Sequence, residues 1–188
     1  MRADAKKNYD LLLAAARVVV AEQGADASLR DIARKAGVGM GTLYRHFPAR
    51  EALLETLLRS DFEALAVRAG ELEASGPADD ALILWLREII EFTYSHRGII
   101  ALMMGAIEDT SSALHTSCVT LRAAGAALLA RAQAEGKARA DLDGAALFDL
   151  VAALAWLREQ PAHAPRADRL FGIIADAILV DRADLSAS

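Results

Sequence analysis

The sequence predicts an all-α protein of about nine helices. An N-terminal three-helix unit containing a helix-turn-helix is expected over residues 1–50, and a larger helical domain over residues 51–188. Three observations predict this. Hydrophobic residues make up 54 % of the chain but aromatics only 5 %, an alanine- and leucine-rich composition that suits close-packed helices. Only four prolines interrupt 188 residues, and alternating strand patterns are nearly absent. Apolar residues recur instead at three- and four-residue spacing, the period at which side chains share one helix face.

The first helix is expected from Ala3 to Gln23, with Gly24 at its end. Leu12, Ala16 and Val19, together with Leu11, Ala15 and Val18, form a wide apolar face. Its role is packing, because a two-helix hairpin buries too little surface alone. Arg2, Lys6 and Lys7 stand before that face, either as a basic arm toward phosphate or as a solvated helix start. Ser28 is a good N-cap for a second helix, and Asp31 three residues on completes a variant of the capping box. Leu29, Ile32, Ala33 and Ala36 give that helix one apolar stripe. Gly37 stands where a left-handed residue must stop it, and Val38 plugs the corner. A third helix, about Gly39 to His46, buries Leu43 and Phe47 and leaves Thr42, Tyr44, Arg45 and His46 on other faces. Two helices, a glycine turn and polar residues on the second helix describe a helix-turn-helix.

The run GTLYRHFPAREALL resembles the recognition-helix end of the TetR (tetracycline-repressor-like) family, whose pattern is G-T-x-Y-x-H-F followed by a basic residue, Glu and apolar positions. LRDIARKAGV resembles the first helix and turn of the same unit. The resemblance covers roughly Tyr9 to Leu58; beyond it only length and helical character match. Charge agrees with it. Residues 1–50 carry nine Lys/Arg against five acids, a balance of +4, whereas the rest carries 12 against 21, a balance of −9 within the overall −5. A basic head on an acidic body directs the head toward a polyanion.

The expected partner is therefore a double-stranded DNA operator, and the expected contact set is Ser28, Arg30, Gly39, Met40, Gly41, Thr42, Tyr44, Arg45 and Arg50. The Thr42 and Tyr44 hydroxyls suit phosphate oxygens, which fix register without reading sequence, and the resemblance implies the same role for both. Arg50, where the family usually has lysine, opens the next helix, whose N-terminus favours phosphate. The resemblance assigns His46, with Phe47, to the domain core. Arg30 and Arg34 lie four apart and off the apolar stripe, suited to backbone contact or surface ion pairs. Base readout is thin, because Gly39, Met40 and Gly41 lead the recognition helix and offer no side-chain hydrogen bond. Specificity then leans on Arg45, Arg30 and DNA shape.

A long helix is expected from Ala49 to about Glu73, with Leu53, Leu54, Leu57, Leu58, Phe62 and Leu65 on one stripe. Ser75-Gly76-Pro77 breaks it, and Asp79 or Asp80 caps the next. That helix, Ala81 to about His96, is apolar nearly all round and reads as central and enclosed. A short apolar segment with Ile99, Ile100, Leu102, Met103 and Met104 follows the His96-Arg97-Gly98 corner. A long helix then runs from about Ser112 to Glu135, and two last helices cover Ala145 to Arg158 and Arg166 to Asp181. Small residues on those two allow close helix approach. The resemblance implies that they pair with their two-fold copies in a homodimer, with Phe148, Ala152, Ala155, Phe171, Ile174 and Ile178 at the interface.

A ligand cavity is expected from Phe62, Trp85, Ile89, Phe92, Thr93, Met103, Met104, His115 and Cys118, apolar with a few polar points. Methionines adapt to varied shapes, so the unidentified small-molecule effector is expected to be hydrophobic or aromatic. No catalytic or nucleotide-binding motif appears, and neither a cofactor nor a metal is expected. His115 and Cys118, at i and i+3, are the one pair with metal or redox chemistry, and two ligands do not make a site. The single Cys118, the lack of a basic leader and the lack of an uncharged run of ~18–20 residues point to the cytoplasm and away from a membrane. The expected protein is a ligand-responsive regulator, a repressor released from an inverted-repeat operator. The rival is a helical small-molecule-binding dimer, or an enzyme, without a DNA role.

Overall fold

The computed structural model describes residues 2–160 and 162–180. Among them are nine α-helices: α1 (Arg2–Gln23), α2 (Leu29–Ala36), α3 (Met40–His46), α4 (Arg50–Ser75), α5 (Ala78–Ser95), α6 (Arg97–Glu108), α7 (Ala113–Ala134), α8 (Gly144–Glu159) and α9 (Ala167–Ile178). The chain belongs to the all-α class expected, with a helix-turn-helix at its N-terminal end. The expected end of the last helix, Asp181, lies outside the described residues.

The chain forms two compact units, Met1–Asp61 with Ser95–Thr116, and Phe62–Tyr94 with Ser117–Ser188. These bounds differ from a division at residue 50. The first turns of α4 are tied to α1, since the Arg17 guanidinium donates to Asp61 Oδ1 at 2.7 and 3.0 Å and to Ser60 Oγ at 3.0 Å. Asp61 Oδ2 also lies 3.7 Å from His96 Nε2, just before α6. The break therefore falls inside α4, and α6 goes with the first unit.

Within the first unit, Leu12, Ala16, Val19 and Val20 of α1 are buried, as are Ile32, Leu43, Phe47 and the α4 leucines Leu53, Leu54, Leu57 and Leu58. Tyr9 stacks on Phe47 with ring centroids 5.3 Å apart. The face expected for α1 needs correction, because Leu11 and Val18 point to solvent while Leu13 and Val20 take inward positions. Residues 11 and 18 fall at the edge of the arc that one helix can bury.

The second unit is organised around Trp85 of α5, which is fully buried. Its Nε1 donates to the Leu65 carbonyl at 3.0 Å, and its ring meets the edge of Phe148 at 5.9 Å. Gly125 of α7 lies beneath that ring, where a Cβ would come within 2.5 Å of it. Arg131 donates to the carbonyls of Glu73 and Gly76 where α4 ends, and Lys137 pairs with Asp79 at 3.1 Å. Asp79 is thus an ion-pair partner inside the first turn of α5, since that helix starts at Ala78. Arg87 and Glu91 form the narrow polar strip expected on an otherwise apolar α5, but Leu84 is exposed as well, so the helix is less enclosed than expected. The segment after His96 is a full helix of 12 residues, longer than expected.

Arg122 and Arg131 break α7 into uncharged runs shorter than the ~18–20 residues of a membrane span, although its average hydropathy is high. Among the described residues α7 is long and apolar enough, by composition alone, to cross a bilayer. Its many alanines raise the average, and Leu121, Leu128, Leu129 and Ala132 are buried as in a core helix.

Candidate nucleic-acid interface

The interface is built from caps and a turn. Ser28 Oγ accepts the Asp31 N–H at 3.4 Å, as an N-cap does. The reciprocal half of the capping box comes from elsewhere, because Gln23 Oε1 accepts the Ser28 N–H at 3.0 Å and Gln23 Nε2 donates to Asp31 Oδ2 at 3.2 Å. The end of α1 thereby fixes the start of α2. Gly37 closes α2 at φ 68°, ψ 27°, and the next residue's N–H returns to the Ala33 carbonyl at 3.0 Å. Gly39, at φ −74° and ψ 153°, is the N-cap of α3, and its carbonyl accepts from Thr42 and Leu43 at 2.9 and 3.1 Å.

Leu43 is 0 % exposed and locks the inner side of α3, with Phe47 buried just beyond it. Gly41, Tyr44 and Arg45 are consequently exposed, while Met40 and Thr42 are half-buried. Tyr44 is 49 % exposed, a large value for an aromatic side chain in a three-helix core region. His46 packs edge-on against Tyr9, centroids 6.0 Å apart, in the core-facing role expected of it. On α2, Arg30 and Arg34 are exposed. Arg34 pairs with Asp31 at 2.7 Å, whereas Arg30 and Arg45 make no ion pair among the described residues.

Arg50, expected to meet phosphate, is the first residue of α4 and is half-buried. Its Nε and Nη2 are buried and lack a hydrogen-bond partner in the structure. The residue as a whole is half-buried, and a guanidinium nitrogen shielded from solvent gains from a hydrogen-bond acceptor.

The nine residues expected to form a ligand cavity divide between the units: Phe62, Trp85, Ile89, Phe92, Thr93 and Cys118 belong to one, and Met103, Met104 and His115 to the other. In the first group Phe62 and Phe92 meet edge to face at 5.7 Å, and Thr93 Oγ1 donates to the Ile89 carbonyl of its own helix at 2.8 Å. Trp85, Ile89 and Phe62 are buried core. In the second group Met103 is buried and Met104 is largely exposed. His115 Nδ1 lies 2.8 Å from the Ile107 carbonyl and must carry the proton it donates there. Burial pushes the Cys118 thiol up, against the opposite effect of Arg122, so it is a poor thiolate near neutrality. Among the described residues no three of His, Cys, Asp and Glu stand together to hold a metal.

The six dimer candidates also divide. Ala155, Phe171 and Ile178 are buried within the single chain, and Phe171, Ile174 and Ile178 line a crevice shared with Leu86, Ile90 and Leu154 whose free volume is about 10 Å³, roughly one water. Arg87 lies over the Phe171 ring at 4.8 Å. Phe148 and Ile174 are half-buried and Ala152 is exposed. The outward apolar residues of α8 and α9 are Trp156, 59 % exposed, and Ile173, 54 % exposed. Both helices are apolar on two sides, so their composition did not say which side turned in. Leu86 and Ile90, spaced i and i+4, with Val151 and Leu154 at i and i+3, were the available signal for the crevice.

A short exposed helix carrying Thr, Tyr and Arg, anchored by one buried leucine and set by a left-handed glycine, defines a helix-turn-helix protein of the DNA-binding class. Residues 12–57 match the model of bacterial regulatory proteins of the tetR family. Residues 77–178 match the model of the SbtR-like transcriptional regulator C-terminal domain. A solved TetR transcriptional regulator from Streptomyces coelicolor is 34 % identical with a TM-score of 0.74, over 90 % of this chain and 97 % of that one. A TetR transcription regulatory protein from Mycobacterium vanbaalenii is 29 % identical with a TM-score of 0.73, over 95 % and 99 %. The transcriptional repressor KstR2 of Rhodococcus jostii is 35 % identical over 89 residues, 45 % of this chain and 44 % of that protein. The chain spans about half the length of the curated relatives it matches. It belongs to the TetR family of transcriptional regulators, a family of regulators rather than enzymes.

Proposed function

We propose that this chain binds an inverted-repeat operator as a homodimer and represses transcription until a small hydrophobic effector releases it. One observation carries the DNA reading: on α3, Leu43 is locked inward while Gly41, Tyr44 and Arg45 face out, on a head whose net charge is +4 within a chain of −5. Thr42 and Tyr44 position the helix on phosphates, with Ser28 holding the start of α2 and Arg30 beside them on that helix. Met40 and Arg45 meet base edges, and Arg50 swings out to a phosphate that supplies the partners it lacks. Residues 1–50 act as the DNA-binding domain and residues 51–188 as the ligand-binding and dimerisation domain. Two recognition helices must reach major grooves about one turn, roughly 34 Å, or more apart, which requires a two-fold copy. We assign that contact to the outward residues of α8 and α9, Ala152, Trp156 and Ile173. Repression follows the named role of the Rhodococcus jostii relative. The effector is hydrophobic because the body's interior is apolar, and Phe92, Thr93 and Cys118, which keep partial exposure, meet it first. The cytoplasm, where the operator lies, is the assigned compartment.

The test is selection of duplexes from random-sequence DNA by the purified full chain. Enrichment of an inverted repeat, bound as a dimer in a mobility-shift experiment, is the expected result. Recovery of unenriched DNA would contradict the proposal.

A further inference from the structure

Gly41 is exposed on α3, and nothing in the protein asks for glycine there. Glycine is required where φ is positive or where a Cβ would collide. The positive-φ glycines are Gly24, Gly37 and Gly136 among the described residues, and Gly41 is not one of them. A Cβ built on Gly41 meets no heavy atom within 4 Å. Inside a helix glycine is less favourable than alanine, so the free fold is the poorer for it. Gly39 has equally open surroundings, but an N-cap position tolerates glycine and carries less argument. Gly70 and Gly105 are equally open, so the chain itself gives no reason for glycine at any of these positions, and what singles out position 41 is the set of groups beside it.

Those groups point to a body outside the chain. Thr42, Tyr44 and Arg45 on the same short helix offer hydroxyls and a guanidinium, groups that meet phosphates and base edges. We infer that Gly41 is a positioning residue for DNA: its bare backbone lets the duplex approach α3 more closely than a methyl group would allow, and this sets how deep the helix sits in the groove. The effect is one of room, not charge. Depth in turn decides whether Met40 and Arg45 reach base edges. This rests on the DNA-binding reading above and adds a named steric determinant to it.

Gly70 of α4 supplies the control. It too is an exposed helical glycine with nothing within 4 Å of a built Cβ, but its exposed neighbours Glu71, Glu73 and Ala74 do not suit a polyanion. The experiment compares Gly41→Ala, Gly70→Ala and wild type on the duplex that the wild-type chain enriches from random-sequence DNA. Both variants should raise the melting temperature by about 1–3 °C. Gly41→Ala should raise the Kd for that duplex at least tenfold, and Gly70→Ala should leave it unchanged. Wild-type affinity in Gly41→Ala would overturn the inference. So would a lowered melting temperature in that variant, since the fold itself would then need the glycine. If the wild-type chain enriches no duplex, the DNA-binding reading has failed before any variant is compared.

Discussion

The α2–α3 region and the α5–α8–α9 region are both helical and both rich in apolar residues, yet they use their side chains in opposite ways. In α2–α3 one buried leucine, Leu43, and one left-handed glycine, Gly37, hold a row of outward polar groups. Around α5 the large side chains face one another, with Trp85 closed over by Gly125 and edged by Phe148. The first region presents a surface and the second fills a volume. Substitution should separate them, with the α3 surface costing affinity and the α5 interior costing stability.

The largest effect is expected from Trp85→Ala, which removes a fully buried indole and its hydrogen bond to Leu65. A loss of about 3–5 kcal/mol is expected in denaturant unfolding. Tyr44→Ala, an exposed change, should stay within about 0.5 kcal/mol of wild type while losing most DNA affinity. If both variants lose stability equally, the contrast between the regions breaks down.

Charge on α8 and α9 sharpens the contrast further. Phe171→Glu buries a charge within one chain and should cost several kcal/mol, roughly 3 or more. Trp156→Glu changes an outward side chain and should convert a dimer to monomers in sedimentation, with the fold kept by circular dichroism. A dimer untouched by Trp156→Glu would move the interface elsewhere. Gly125→Ala comes next. Its methyl would press on the Trp85 ring, and overpacking of that kind costs about 1–3 kcal/mol in the same unfolding measurement.

The smallest effect concerns Asp79. The hydrogen bond from Lys137 holds its carboxyl below the usual range. A lowered carboxyl pKa stabilises the fold above the ordinary value of about 3.9, and the gain is lost as pH falls through the lowered one. Both side chains are more than a quarter exposed, so the pair is worth at most about 1 kcal/mol. Asp79→Asn should lower the melting temperature slightly at pH 7, and its deficit should fade as the solution is acidified below about pH 4.

The two regions also differ in how much of them could be read from sequence. Ser28, Gly37 and the Leu43/Phe47 pair act within a few residues of themselves, so spacing alone placed the turn and the outward residues. Gln23 closing onto Ser28 escaped notice because it acts from the neighbouring helix. Around α5 the identity of the helices was legible, but not which apolar side faced inward. Phe171 and Ile178 satisfy an interface as well as a core by composition, and only tertiary packing decided for the core. Trp85 was expected to line a cavity on the same ambiguity, and its ring packs directly over Gly125, where a Cβ would come within 2.5 Å. Arg50 is a third kind of case, its type pointing to phosphate while two of its guanidinium nitrogens are shielded in a half-buried side chain.

The central claim, that the α2–α3 surface binds DNA through phosphate-directed groups, is tested most directly by titrating salt. The affinity of the full chain for its selected duplex should fall linearly on a log–log plot, with a slope of about −0.9 per phosphate neutralised. Several such contacts per dimer predict a steep line, and Arg30→Ala, which removes an exposed α2 cation beside the phosphate-directed groups, should make it shallower. Affinity that does not change with salt, or an unchanged slope in Arg30→Ala together with wild-type affinity in Tyr44→Ala, would contradict it.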